Sequence, residues 1–181
     1  MNAKKLSFLL LILVAVACTN RSTSSEQDEM RHWNNVLQQI NALLLENKAR
    51  QTLDLAKQTL PEILESAEKN GTTDTLIYYA RKIFNACGNN YINTKQYKDG
   101  IDYMDSIGNH PLIREHCPHE LLSFKAGLNQ LYGNNPEAVR LAEDYLQLPV
   151  CTSANDFIRQ AEIISGVYMY SGNNLPKARS E

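Results

Sequence analysis

The chain has 181 residues, of which 43% are hydrophobic and 21% charged, and a formal net charge of −2. It is long enough for one domain with a real core, and too apolar to stay disordered. It has no basic block, which argues against binding nucleic acid.

The N-terminus is the first informative segment. Lys4 and Lys5 precede an apolar and small run over residues 6–17, interrupted only by Ser7 and closing as Ala15-Val16-Ala17-Cys18. A positive start, a short apolar stretch and a small-residue cleavage site predict a secretory leader. The run is far shorter than the roughly 20 residues a membrane span needs. Ala15-Val16-Ala17-Cys18 resembles the lipobox of bacterial lipoproteins, with Ala15 where Leu is usual. That resemblance implies cleavage before Cys18, diacylation of its thiol and acylation of the new amino terminus. Two or more acyl chains anchor a protein stably, whereas one is marginal. Lys4 and Lys5 leave with the leader, so 16 basic residues then face 20 acidic ones, a charge of −4. Residues 18–27, rich in Ser and Thr, read as a flexible tether. Thr19 stands where an Asp commonly signals inner-membrane retention. By analogy this implies the outer membrane of a Gram-negative bacterium, facing periplasm or exterior.

Residues 28–181 read as an all-α domain, because apolar residues recur at intervals of three and four without sustained alternation. The expected helices are 28–46, 48–70, 74–94, 97–107, 118–132, 136–148 and 154–171. Asn70-Gly71, Gly108-Asn109-His110-Pro111, Gly133-Asn134-Asn135-Pro136 and Gly172-Asn173-Asn174 separate them. Gly and Asn tolerate the left-handed conformation that ends a helix, and Pro suits the first turn of the next. Asp74, and Ser153 or Asn155, are the expected N-caps.

Internal similarity follows. Phe84-x₂-Cys87-Gly88-x₂-Tyr91 leads to Gly100, Met104 and Ile107, and Trp33-x₂-Val36-Leu37-x₂-Ile40 leads to Ala49, Leu53, Ala56 and Pro61. Gly133-x₄-Ala138 leads to Ala142, Tyr145 and Pro149, and Ile164-Ser165-x₂-Tyr168 leads to Gly172 and Ala178. This pattern resembles the tetratricopeptide (TPR) repeat, stretched beyond its usual length. The resemblance implies antiparallel helix pairs stacked as a right-handed α-solenoid, in which each pair needs a neighbour to bury its face. The second helix of the last repeat starts at Pro176 and stops at Glu181, so the chain is expected to be part of a longer protein.

Candidate chemistry is sparse. His110, His116, Cys117 and His119 form the one cluster of metal-ligand types, and they read as a structural connection rather than a zinc site. Cys87 reads as a small buried hydrophobe. Cys117 and Cys151 could pair if their loops meet. The sequence has no nucleophile elbow, zinc-protease, phosphate-loop or dinucleotide motif, so neither an enzyme nor a cofactor is expected.

One polar stripe stands out. Arg81, Asn85, Asn89 and Asn93 recur every four residues and share a helix face. Asn is a mediocre helix former, so its repetition asks for a reason. The family resemblance implies that this helix lines a peptide-binding groove, with Arg31, Asn34 and Gln38 matching in the preceding copy. The third and fourth copies have Ser123, Gly127, Glu162 and Gly166 there instead, which departs from a full carboxylate-clamping groove. A solvated helix face explains the stripe equally well. The expected function is protein or peptide binding in a scaffold or assembly role. The sensory end of a longer histidine kinase or transcriptional regulator is the alternative. Carbohydrate binding ranks below both, because the one Trp, Trp33, falls in a core position.

Overall fold

The computed structural model describes residues 27–149 and 154–171, among which there are eight helices and no strand. They are α1 (27–45), α2 (Ala49–Asn70), α3 (Asp74–Asn93), α4 (Tyr97–Ile107), α5 (Pro111–His116), α6 (Pro118–Tyr132), α7 (Asn135–Leu146) and α8 (Ala154–Tyr170). None of them is long and apolar enough to cross a membrane. Cys18, Cys151, Ser153 and the stub after Ser171 lie outside the described residues. The chain divides into two compact units, Met1–Gln39 and Ile40–Glu181, so the division falls within α1. In the first unit, residues 27–39 are helical, and Trp33 and Val36 are buried.

The second unit repeats one turn three times. Asn47, Lys95 and Gly133 take φ values of +55°, +58° and +95°. Their N–H groups donate to the carbonyls of Leu44, Ile92 and Gln130 at 3.0, 3.1 and 3.1 Å. The next N–H groups, of Lys48, Gln96 and Asn134, reach back to Leu43, Tyr91 and Asn129 at 2.9, 3.1 and 2.8 Å. This double bond pattern around a left-handed residue satisfies the orphan carbonyls at the helix end. Lys48, Gln96 and Asn134 then share one conformation, with φ/ψ of −89°/59°, −90°/56° and −88°/64°. The second helix of each pair starts there, and the N–H groups of Thr52, Gly100 and Ala138 close its first turn onto the carbonyls of those three residues. All three slot residues are buried, as are Ala56, Met104 and Ala142 four positions on.

These turns correct one register. The expected small-residue slot of the first copy was Ala49, but Thr52 occupies the position of Gly100 and Ala138. Trp33 and Val36 are large apolar residues three positions apart, so the pattern fits the sequence in two registers one helical turn apart. The turn, whose geometry is unambiguous, selects the later one. Pro61 lies inside the 22-residue α2, where the expected helix 48–70 also has it. It leaves the carbonyl of Lys57 without its usual helical donor. Two further differences are local. Thr73, not Asp74, caps α3, its Oγ1 accepting from the N–H of Leu76 at 3.2 Å. The stretch read as a connection contains α5, which starts at Pro111 and is capped by Nδ1 of His110 accepting from Leu112 at 3.2 Å. Leu112 and Ile113, both buried, hold it down.

Side-chain contacts give the helix directions. Arg81 faces Glu120, Phe84 meets Phe124 edge-on at 6.1 Å, and Gly127 lies near Ile92, so α3 and α6 run parallel. Gly100 lies against Leu128, Asp105 against Lys125 at 2.6 Å and Gly108 against Leu121, so α4 runs antiparallel to α6. Tyr145 of α7 meets His119 with its ring and Gln160 of α8 with its hydroxyl at 3.1 Å, while Ile163 reaches Gly127. α8 therefore follows the sense of α6. The core between α6, α7 and α8 is built from Ala126, Ala138, Leu141, Ala142, Tyr145, Ile164, Val167 and Tyr168. Fully buried large side chains such as Phe84, Phe124 and Ile83 each contribute about 1.5–3 kcal/mol.

Candidate functional site

The polar stripe on α3 divides into a tied end and an open end. Arg81, 37% exposed, places Nε 3.1 Å from Oε1 of Glu120, whose side chain is 3% exposed. The contact is Coulombic rather than an aligned hydrogen bond, since Nε lacks a properly directed acceptor. The guanidinium makes its directed bond elsewhere, donating from Nη2 to the carbonyl of His116. Arg81 thus ties α3 to the end of α5 and the first turn of α6, and balances a buried carboxylate. That position does not leave it as the free groove cation the resemblance implied.

Asn85, Asn89 and Asn93 follow along the same face. Asn89 is half-buried and donates from Nδ2 to the carbonyl of Asn85 at 2.8 Å, leaving its Oδ1 for other donors. The side chain of Asn85 makes no hydrogen bond to the described residues, and Asn93 is exposed. In the first unit, Arg31, Asn34 and Gln38 are all exposed, and Arg31 lies 3.4 Å from Asp28. Counted from the turns at Asn47 and Lys95, the positions of Arg81, Asn85 and Asn89 correspond in that copy to Trp33, which is buried, Leu37 and Asn41. Ser123 and Gly127 of α6 are buried against neighbouring helices.

A feature that the sequence did not flag adjoins Asn93. A hollow of about 310 Å³ is lined by Leu44, Asn47, Lys48, Ala49, Asn90 and Asn93. Asn90 is fully buried and bonds the carbonyl of Ala86 through Nδ2 at 2.8 Å, while its Oδ1 has no partner among the described residues. An Asn next to Tyr91 in a helical run gives no sequence signal of this, because burial of position 90 depends on the neighbouring turn.

The histidines and cysteines are scattered by the fold. Nδ1 of His110 caps α5 and its Nε2 sits 3.2 Å from Glu68. His119 bonds the Pro149 carbonyl through Nε2 at 2.6 Å. Among the described residues no three His, Cys, Asp or Glu side chains converge as metal ligands. Cys87 and Cys117 are buried free thiols. Burial pushes the Cys87 thiol up to about 12, and Cys117 likewise up to about 12 with Glu120 adding to the shift. Both stay protonated at neutral pH, the unreactive form. Cys87 donates weakly to the Tyr103 hydroxyl at 3.8 Å. Lys57 of α2 lies over the rings of Tyr91 and Tyr103, 5.5 and 5.8 Å from their centroids. A hydrogen bond to Tyr91 raises the pKa of Lys57, so this amine remains a cation. The open chemistry of the α3 face is therefore amide chemistry, able to donate and accept along a backbone.

The chain matches no protein-family model, no curated protein and no solved structure.

Proposed function

We propose that this chain is a lipid-anchored, non-enzymatic module of TPR-like helix pairs that binds protein or peptide in the cell envelope. The observation that carries the repeat reading is the turn at Asn47, Lys95 and Gly133, the same backbone with the same buried slot at Thr52, Gly100 and Ala138. Neighbour relations support it too. α6 packs on its own partner α7, on the preceding α4 and on the first helices α3 and α8. That is how stacked pairs bury faces they cannot bury alone. The anchor at Cys18, with placement on the outer membrane, rests on the leader and its small-residue cleavage site.

Within this reading the bound segment lies along Asn85, Asn89 and Asn93, whose amides suit the N–H and C=O groups of an extended chain. Arg81 acts from beneath as a support. A photo-crosslinker placed at residue 85 of the full chain in its native membrane tests this. The expected result is a discrete adduct absent when the crosslinker stands at the exposed Lys82 and competed away by Asn89→Ala. Equal labelling from both positions, or none from 85, overturns peptide binding on this face. Mass analysis of the membrane-bound protein tests the anchor, with Cys18→Ser expected to lose the lipid adduct.

A further inference from the structure

The large apolar side chains that stand out into solvent are not spread evenly. Of the eight among the described residues, Leu44, Leu45, Leu131, Tyr132, Met169 and Tyr170 lie in the last turns of α1, α6 and α8. These turns lie on one edge. α3, α6 and α8 run in the same sense, and the last turn of α1 meets that of α3 across the hollow lined by Leu44, Asn90 and Asn93. Leu45 is 86% exposed and Tyr170 72%. Neither is covered by a neighbour among the described residues.

The same edge is positive. From two residues before to three after Asn47, Lys95 and Gly133, the charged side chains are Glu46, Lys48, Arg50, Lys95 and Lys98. That is a surplus of three positive charges on a chain whose formal total is −2. Arg50 and Lys95 have no carboxylate partner among the described residues, Lys48 pairs with the exposed Glu46 beside it, and Lys98 pairs with the exposed Asp102 one turn on. Asp99 and Glu137 follow one position further on, and Glu137 is held by Arg140 at 2.6 Å.

We infer that this edge docks on an anionic lipid bilayer surface, an interaction that rests on the membrane-anchored reading above. The apolar residues come as separate pairs, at helix ends set apart by packed neighbours about 8–10 Å between axes. A protein interface concentrates its energy in a contiguous apolar centre that fills a partner's pockets. A headgroup layer instead takes separate leucines and tyrosines at its boundary, with lysines and arginines between them meeting phosphates.

Hydrogen exchange of the full chain tests this, with and without vesicles of phosphatidylcholine alone or mixed with phosphatidylglycerol. Amides in 44–49, 93–98 and 131–136 should slow by at least about tenfold on the anionic vesicles and not on the neutral ones. Leu45→Glu with Tyr132→Glu, both at exposed positions, should abolish that protection while leaving exchange in the core unchanged. Lys95→Asn keeps a residue that tolerates a left-handed backbone and should weaken partitioning about fivefold, the effect of one cation near the surface. Unchanged exchange at the three turns on anionic vesicles overturns the proposal, as does protection that survives the double substitution. Turn protection that grows with protein concentration in the absence of lipid also overturns it, in favour of a second copy. The lipid on Cys18 is weighed in the same sample, so a failed anchor and failed docking are told apart.

Discussion

The hairpins α3–α4 and α6–α7 turn through the same backbone conformation and stabilise it differently. Gly133 meets the left-handed requirement with no Cβ, whereas Lys95 meets it with a side chain that disfavours it. Above the turn the interiors diverge further. Seven residues before it, α3 has Gly88 pressed on Phe124, while α6 has the buried Ala126. Eight residues before it, α3 buries the Cys87 thiol against Tyr103, while α6 presents Lys125 to Asp105. The difference teaches that the turn sets the register of a pair, and each pair then fills its own interior.

Breaking the closest contact should have the largest effect. A Cβ on Gly88 would sit 2.4 Å from the Phe124 ring. Gly88→Ala should lose about 3 kcal/mol by urea unfolding, near the upper end of overpacking costs. Gly127→Ala meets a single methyl, Cγ2 of Ile163, at 2.9 Å rather than three ring atoms at 2.4–2.6 Å, and should lose less. Equal losses at the two sites would contradict a rigid Phe124 wall.

Arg81→Ala comes next. It removes the cation beside the buried Glu120, a loss worth several kcal/mol in a dry site, but Arg81 is partly exposed and water can reach the gap. A loss of about 2 kcal/mol is expected. A second substitution, Glu120→Gln, should recover part of it in a double-mutant cycle.

The thiols give a pH test. In the unfolded chain Cys87 and Cys117 release their protons near the ordinary 9.0, but in the folded chain only near 12. Between these values the folded state binds more protons, so stability is full below pH 9 and falls as pH rises toward 12. The expected slope is about 1.4 kcal/mol per pH unit for each thiol. Cys87→Ala should lower that slope, and denaturation followed from about pH 8 to 10 measures it. That window lies below the range where Tyr91 and Tyr103, whose pKa values burial also raises, add to it.

Exchanging the turn residues sharpens the comparison with smaller effects of opposite sign. Lys95→Gly should stabilise by roughly 0.5–1 kcal/mol and Gly133→Ala should destabilise by about 1 kcal/mol. Thermal melts that shift the same way for both would show that the two turns are not equivalent. Asn85→Ala should move stability by less than about 0.5 kcal/mol, because the side chain makes no hydrogen bond to the described residues.

Most helix boundaries were legible because turn chemistry is local. Gly71 and Gly133 end their helices where Asn70-Gly71 and Gly133-Asn134 announce them, and Pro118 starts α6 where Pro suits a first turn. α5 was missed because His110 is an uncommon cap, and its six residues are too short to show a period. Of the candidate site, the four-residue recurrence of Arg81, Asn85, Asn89 and Asn93 was visible. The hollow beside Asn93 was not, because it brings together residues more than forty positions apart along the chain.

The sequence by itself determined the all-helical class and the places where the chain turns. These follow from three-and-four spacing and from the few residues that can take a left-handed or Pro-restricted backbone. Only the tertiary structure decided that Thr52 rather than Ala49 fills the first slot, that Arg81 is tied to Glu120, and that the apolar helix ends share one edge. Each of these depends on which surfaces meet across a helix interface, and a one-turn shift along a helix leaves the hydrophobic pattern nearly unchanged while exchanging every neighbour.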